Sequence, residues 1–434
     1  MHEIMLFITV ICVVGFGFLV VAKRPFDAMG FFLCLVAYRH LPSIFYLFGF
    51  SGESAFFDNV RHSSAMVEMA LIFMVFMVFT YLGYLVFNRV RFGQSLFPDY
   101  SAPKSDLLIL AGIITLTICA FIVAWIPIQQ TGDIFEAINL VRNLDFYEGL
   151  NVLKKFIQFA TLLSSAYIVD LIVRKRRGAH IDTKFIGLIA ALLILNLFFS
   201  FIMGGKGFII WPLAFMAISY AVCATKKPLQ FISLTCLALV VLVLSLQFTR
   251  IIFVKEASIK DPISYLYGAL HFDVMDGNLI FIDTLGTLHD EETGETFANG
   301  LAGVVPRFLW PDKPVQITAG GDFKESLLPG SRGGWPVFAY NQWFSSFGWL
   351  GVITGGFLTG WLLRQIQTKY SQMTRDPFST YISYILILYV VSPTGINNGI
   401  FINYIFFVIP LFIFQFLTQA RWGKLLTPTV RNEV

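Results

Sequence analysis

Eleven apolar runs, each close to the thickness of a bilayer, constrain this chain more than any motif in it. A helix rises ~1.5 Å per residue, so about 20 apolar residues cross ~30 Å of hydrocarbon. The runs cover residues 4–22, 28–49, 64–87, 107–128, 156–173, 185–203, 208–224, 229–249, 343–363, 378–392 and 400–418. Only 13% of the residues are charged, where a soluble domain carries about 25%, and 47 of the 434 are Phe. The pattern predicts an all-α polytopic membrane protein of about eleven transmembrane helices. One long loop containing short helices interrupts it. The chain therefore divides into 1–249 (eight spans), 250–342 (the long loop) and 343–434 (three spans and a tail).

The basic residues set the orientation. Eighteen Lys and Arg fall in alternate loops, including Lys23, Arg24, Arg174, Lys175, Arg176, Arg177, Lys226 and Lys227. The short loops on the other side hold five: Arg61, Arg142, Lys154, Lys155 and Lys206. Cytoplasmic loops carry the Lys/Arg excess. The N-terminus and the long loop are thus expected outside and the C-terminus inside. The first apolar run ends in Lys23-Arg24 rather than at small residues and lacks a basic lead, so it is read as a span and not a cleaved signal. The five cysteines lie in apolar runs without metal-ligand spacing and are expected as small core residues. No Walker or GxGxxG loop is present, and the cytoplasmic loops are short. Any chemistry is then expected on the outer face, with a substrate that arrives already activated and with no cofactor, metal or nucleic acid.

Several polar groups need an explanation. Arg39-His40 lies in the second run, about 17 Å from its start at ~1.5 Å per residue. A charge there costs at least ~2.5 kcal/mol unless paired or hydrated. It either pairs with Glu68 or forms a cationic wall of a water-filled cavity. Pro42 should bend the helix just beyond. Asp170 is expected to pair with Arg174 four residues on. Gly204-Gly205-Lys206-Gly207 is either a plain turn or an anion-binding turn of free N–H groups beside an ammonium. Ile134, Phe135, Ile138 and Val141 suit an amphipathic helix lying on the membrane, with Arg142 at its polar edge.

Within the long loop, a helix is expected to start near Asp261-Pro262 and run toward Leu285. Asp273, Asp276 and Asp283 share one face of it, and His271, Val274, Met275 and Asn278 another. The acidic face is read as solvent-facing, with a general base among these residues as the alternative. Farther on comes Pro306-Arg307-Phe308-Leu309-Trp310-Pro311-Asp312-Lys313-Pro314. Its three prolines stiffen the backbone around two cations and a Trp. Such a knuckle at a membrane surface suits a phosphate- or sugar-bearing lipid.

This knuckle resembles the extracytoplasmic loop motif of the Wzy-type O-antigen and exopolysaccharide repeat-unit polymerases. Other landmarks fall in the same order. Gly204-Gly205-Lys206-Gly207 looks like the family's cationic turn, and Phe297-Ala298-Asn299-Gly300 like the segment before the Pro-Arg. Phe347-Gly348-Trp349-Leu350-Gly351 looks like the Phe-Gly-x-x-Gly entry into the next span. The resemblance covers about residues 204–361. Lys206 stands where Arg is common, and Asn341-Gln342 where an acid is frequent.

The resemblance implies a GT-C-like membrane glycosyltransferase in a bacterial inner membrane. It would join undecaprenyl-diphosphate-linked repeat units, one lipid-linked glycan as donor and another as acceptor, with a chain-length regulator protein as a further partner. Arg307, Lys313, Arg332, Lys206, Arg39 and Arg142 are then candidates for the diphosphate. Trp310, Trp335 and Tyr340 are candidates to stack on sugar rings. Asp273, Asp276 or His271 would take the acceptor proton. An O-antigen ligase, or a lipid-linked glycan flippase or transporter, remains as the alternative.

Overall fold

The computed structural model describes residues 2–21, 27–48, 64–86, 96–97, 105–143, 151–203, 207–254, 267, 270, 272–286, 295–302, 305, 309–310, 312, 323, 336–371, 376–392 and 399–413. Among them the chain is all helix, without strands. In order the helices are α1 (His2–Val21), α2 (Ala28–His40), α3 (Pro42–Leu47), α4 (Ala65–Val86) and α5 (Asp106–Thr131). Then come α6 (Ile134–Asn143), α7 (Asn151–Arg176), α8 (Thr183–Ile202), α9 (Gly207–Ala224) and α10 (Pro228–Val254). The series ends with α11 (Asp273–Asp283), α12 (Glu295–Ala302), α13 (Ala339–Ser371), α14 (Pro377–Leu386) and α15 (Ile400–Asn403). Single π turns, Ile387–Val391 and Tyr404–Val408, continue the last two.

Eight helical segments are long and apolar enough to cross a membrane. Three shorter apolar helices, Glu3–Leu19, Pro377–Val391 and Ile400–Ile413, occupy the other runs in the sequence. Their outer faces carry exposed Leu, Ile and Phe, as lipid-facing surfaces do: Leu19, Leu107, Ile194, Leu234 and Leu237 are examples. This is a polytopic membrane protein. The five cysteines differ from expectation. All are free, and each is exposed or half-buried rather than in the core. A small apolar thiol sits as well against lipid as against protein.

Helices α4 and α13 meet backbone to backbone. A Cβ at Gly360 would lie 2.0 Å from the Thr80 carbonyl, and one at Gly356 2.4 Å from that of Phe76. A Cβ at Gly83 would lie 2.2 Å from the carbonyl of Phe357. Lipid offers no hydrophobic force to drive helices together, so close packing of small residues does the work. Gly348, at φ 59 and ψ −151, breaks α13 near its start. Only glycine adopts that conformation readily.

Helices α5, α7 and α8 are stitched by buried polar groups. Asn196 Nδ2 donates to Thr117 Oγ1 (3.0 Å) and Ser164 Oγ (3.1 Å), and Thr161 and Ser200 share a hydrogen bond of 2.9 Å. At the basic end of α7, Arg174 bridges Asp106 (2.9 Å) on α5 as well as Asp170 (3.4 Å) on its own helix. The sequence pointed to Asp170 alone; the closer partner comes from another helix. The chain then leaves α7 through Gly178 at φ 93, with the Ala179 N–H returning to the Arg174 carbonyl. Helix α6 forms where expected. Its apolar side, Ala137, Ile138 and Val141, is buried; the helix packs on α5, α8 and α10, and Val141 joins a core with Ile157 and Ala160 of α7. Side chains of α5 and α8 complete that core.

Candidate functional site

The second apolar run breaks at Pro42, where a bend was expected, and continues to Leu47. Helix α2 stops at His40, Leu41 makes the turn, and Pro42 opens α3. Proline lacks an N–H, which suits the first position of a new helix. This break places Tyr38, Arg39, His40, Phe45 and Tyr46 around one corner.

Segment 267–283 of the long loop docks on that corner. The Tyr38 hydroxyl donates to the Leu270 carbonyl at 2.7 Å. The Phe45 ring meets those of Tyr267 (5.9 Å) and Phe272 (5.5 Å). Beneath them the Asp276 carboxylate accepts from the hydroxyls of Tyr46 and, at 2.7 Å, Tyr267. Asp276 is only 4% exposed, so the acidic face of α11 is not a solvent stripe at this position. The reason is that α11 is enclosed by protein. Val274 through Ile282 are all buried, and among the described side chains of the helix only Asp283, its last residue, is exposed. A buried carboxylate needs donors, and the two phenols supply them.

Asn278, two residues farther, clasps the far end of the loop. Its Nδ2 donates to the Pro336 carbonyl (2.9 Å), and its Oδ1 accepts from the Phe338 N–H (2.6 Å) and Asn341 Nδ2 (3.0 Å). The side chain thus pairs with extended backbone much as a neighbouring strand would. Asn341 is fully buried, and its Oδ1 has no protein partner. The α11 region is therefore fixed to α2 and α3, and through Asn278 to the entry into α13, by polar contacts.

His40 lies deeper. It is 1% exposed and sits between the rings of Phe73 (4.3 Å) and Phe338 (5.3 Å). Its Nδ1 is 2.8 Å from the Val36 carbonyl, which can only accept, so Nδ1 carries the proton. Nε2 then accepts from the Tyr340 hydroxyl at 3.0 Å. Tyr340, a sugar-stacking candidate in the sequence, is fully buried among His40, Phe73, Phe76 and Phe338. Its ring is a core element with no face left for a sugar. Trp310 is different: it is 43% exposed beside exposed Leu309. Arg39, at the same corner, is half-buried with its guanidinium 5.9 Å from the Tyr38 ring.

Two of the sequence landmarks meet. Phe297 on α12 packs on Trp343 (4.4 Å) and Phe347 (5.5 Å) at the start of α13. The segment leading to Pro306 is thereby anchored to the last large span. Arg307, Lys313, Arg332, Lys206, Trp335 and His271 lie outside the described residues, as do the side chains of Asp273 and Arg142. Sequence reading missed Tyr46 and Tyr267. Their signal was chemical: a carboxylate at a helix position that turns out apolar on all sides requires phenol, amide or cation partners.

Asp276→Ala removes the acceptor from two phenols in the interior. Melting of the detergent-purified protein should drop by the equivalent of about 2–4 kcal/mol, since each lost buried partner costs ~1–3 kcal/mol. Asp276→Asn keeps an acceptor oxygen and should lose clearly less. Equal, small effects in both variants would show that the docking of α11 does not depend on these contacts.

No protein-family model, curated protein or solved structure matches this chain. Its function has to be read from its own residues.

Proposed function

We propose that this protein is a membrane glycosyltransferase that polymerises lipid-linked glycan repeat units on the extracytoplasmic face. The reading takes eleven spans with the N-terminus outside, the C-terminus inside and the long loop outside, in a bacterial inner membrane. The observation that carries it is the pinned loop. The Pro306–Pro314 motif falls in the segment between α12 and α13, and that segment is attached at Phe297 on one side and at Asn278 on the other. On this reading the two cations of that motif would grip a diphosphate. The donor would be a glycan on undecaprenyl diphosphate and the acceptor a second lipid-linked unit.

In the transfer, an acceptor hydroxyl attacks the anomeric carbon as the glycosyl–oxygen bond to the diphosphate breaks. The electron pair of that bond leaves on the diphosphate, and the hydroxyl proton goes to a base. Arg307 presents a planar fork that can hold two phosphate oxygens as charge grows on them, with Lys313 adding a point charge. Arg332, Lys206, Arg142 and Arg39 are the further cations of this reading. Trp310, exposed within the motif, offers a face to a sugar ring. Asp276 is already engaged with two hydroxyls, so its role here is to hold α11. Asp273, the first residue of the same helix, and His271, two residues earlier in the sequence, are the candidates to take the acceptor proton.

Chain-length analysis of surface polysaccharide in a deletion strain tests this reading. Loss of a polymerase leaves single repeat units on the acceptor. Complete absence of attached glycan would point instead to a ligase or a flippase, and an unchanged ladder would exclude the class.

A further inference from the structure

Lys155 lies one turn into α7, at the end opposite the Arg174–Arg177 cluster, and the site described above does not use it. It is half-buried, and its Nζ lies 3.3 Å from the Oε1 of buried Gln158 and 5.2 Å from the centre of the Phe407 ring. No carboxylate of the described residues lies within ion-pair distance of it. A Lys this near the end of a membrane helix either extends to the interface or marks a partner or a ligand. The wall facing it is unusual in two ways. Phe407 lies in one π turn and stacks at 4.5 Å on Tyr389 of the other. Such turns are rare and recur at functional sites. The turn that holds Tyr389 also ends in Ser392 at φ 69 and ψ 152, a conformation that costs a residue other than glycine ~1–3 kcal/mol.

We propose that Lys155 is an anion site that takes the phosphate group of a lipid phosphate or diphosphate. The ammonium and the positive end of α7 meet the charge. Phe159, half-buried and 5.5 Å from the buried Phe407 ring, meets the first apolar carbons of the tail. This rests on the polymerase reading for the identity of the lipid, since a polymerase needs a second lipid-phosphate position beside the one at the loop motif. A lysine that only extended toward water would keep its head free of side-chain contacts; this one rests on an amide oxygen and an aromatic ring.

The test is binding of undecaprenyl phosphate and undecaprenyl diphosphate to the full chain in phosphatidylcholine nanodiscs. Inorganic diphosphate serves as competitor. Lys155→Met keeps the apolar stem and should weaken lipid binding about tenfold to a hundredfold, the worth of one charge-assisted contact. Lys155→Arg should retain most of the affinity. Should the Met variant fail to fold, Lys155→Gln carries the same expectation. Competition by inorganic diphosphate would place recognition on the phosphate itself. Binding of the lipid without such competition would place it on phosphate and tail together. Either result supports the site. Equal affinity in wild type and Lys155→Met, or no binding by wild type, overturns it. Lysine-dependent binding by a protein that makes no polymer would keep the site and remove the polymerase reading. Polymer formation with no loss of binding in Lys155→Met would do the reverse.

Discussion

Arg307→Ala is expected to abolish polymer while leaving the protein inserted and thermally intact. Pro306 fixes the backbone immediately before it, and Pro311 and Pro314 stiffen the residues beyond it. The helix that leads into this segment is anchored through Phe297 to Trp343 and Phe347. A guanidinium on such a mount spends little entropy on binding. Removing a donor aimed at developing charge costs ~10²–10³ in rate in comparable sites, and the loss of ground-state binding adds to it. Arg307→Lys should recover part of the activity, because an ammonium keeps the charge and loses the two-pronged geometry. Lys313→Ala should be milder. The competing account is that Arg307 ties the loop together. It predicts a lowered melting temperature with unchanged affinity for donor lipid, and measuring both on one purified variant separates the two.

Gly360→Ala should destabilise the protein by about 3 kcal/mol, the top of the usual range for overpacking. The new methyl would lie 2.0 Å from the Thr80 carbonyl and 2.7 Å from the Tyr84 nitrogen. Those atoms are backbone, so no side chain can rotate away, and α4 and α13 must separate. Gly187→Ala is the internal control. Nothing lies within 4 Å of its Cβ position, and Gly187 is on an exposed face of α8. It should melt at or above the wild-type temperature, by the ~0.5–1 kcal/mol that Ala gains over Gly in a helix. Thermal melting of the two variants in the same detergent is sufficient. Matching melting temperatures would mean that the α4–α13 contact is looser than described.

The helical spans were legible because bilayer thickness demands length and apolarity together, and few other structures do. The α2 break at Pro42 and helix α6 were legible for local reasons of the same kind. Helix α11 was not. Its aspartates repeat at the spacing of a solvent face, and the phenol of Tyr46 that makes burial of Asp276 tolerable is 230 positions away. The Arg174–Asp170 pair was legible, but the nearer carboxylate, Asp106, was not, being 68 residues distant. Gly356 and Gly360 carried a readable signal: small residues four apart in an apolar helix mark close helix contact. The π turns around Lys155 have no sequence signature, because they depend on what the neighbouring helices require.

The central claim is glycan polymerisation by this chain alone at a membrane face. The most direct measurement is incubation of purified, reconstituted protein with a single lipid-linked repeat unit, followed by sizing of the products. A ladder of lipid-linked glycans rising in steps of one repeat, absent with Arg307→Ala, is the predicted result. Unchanged starting material from a protein with wild-type melting would contradict it.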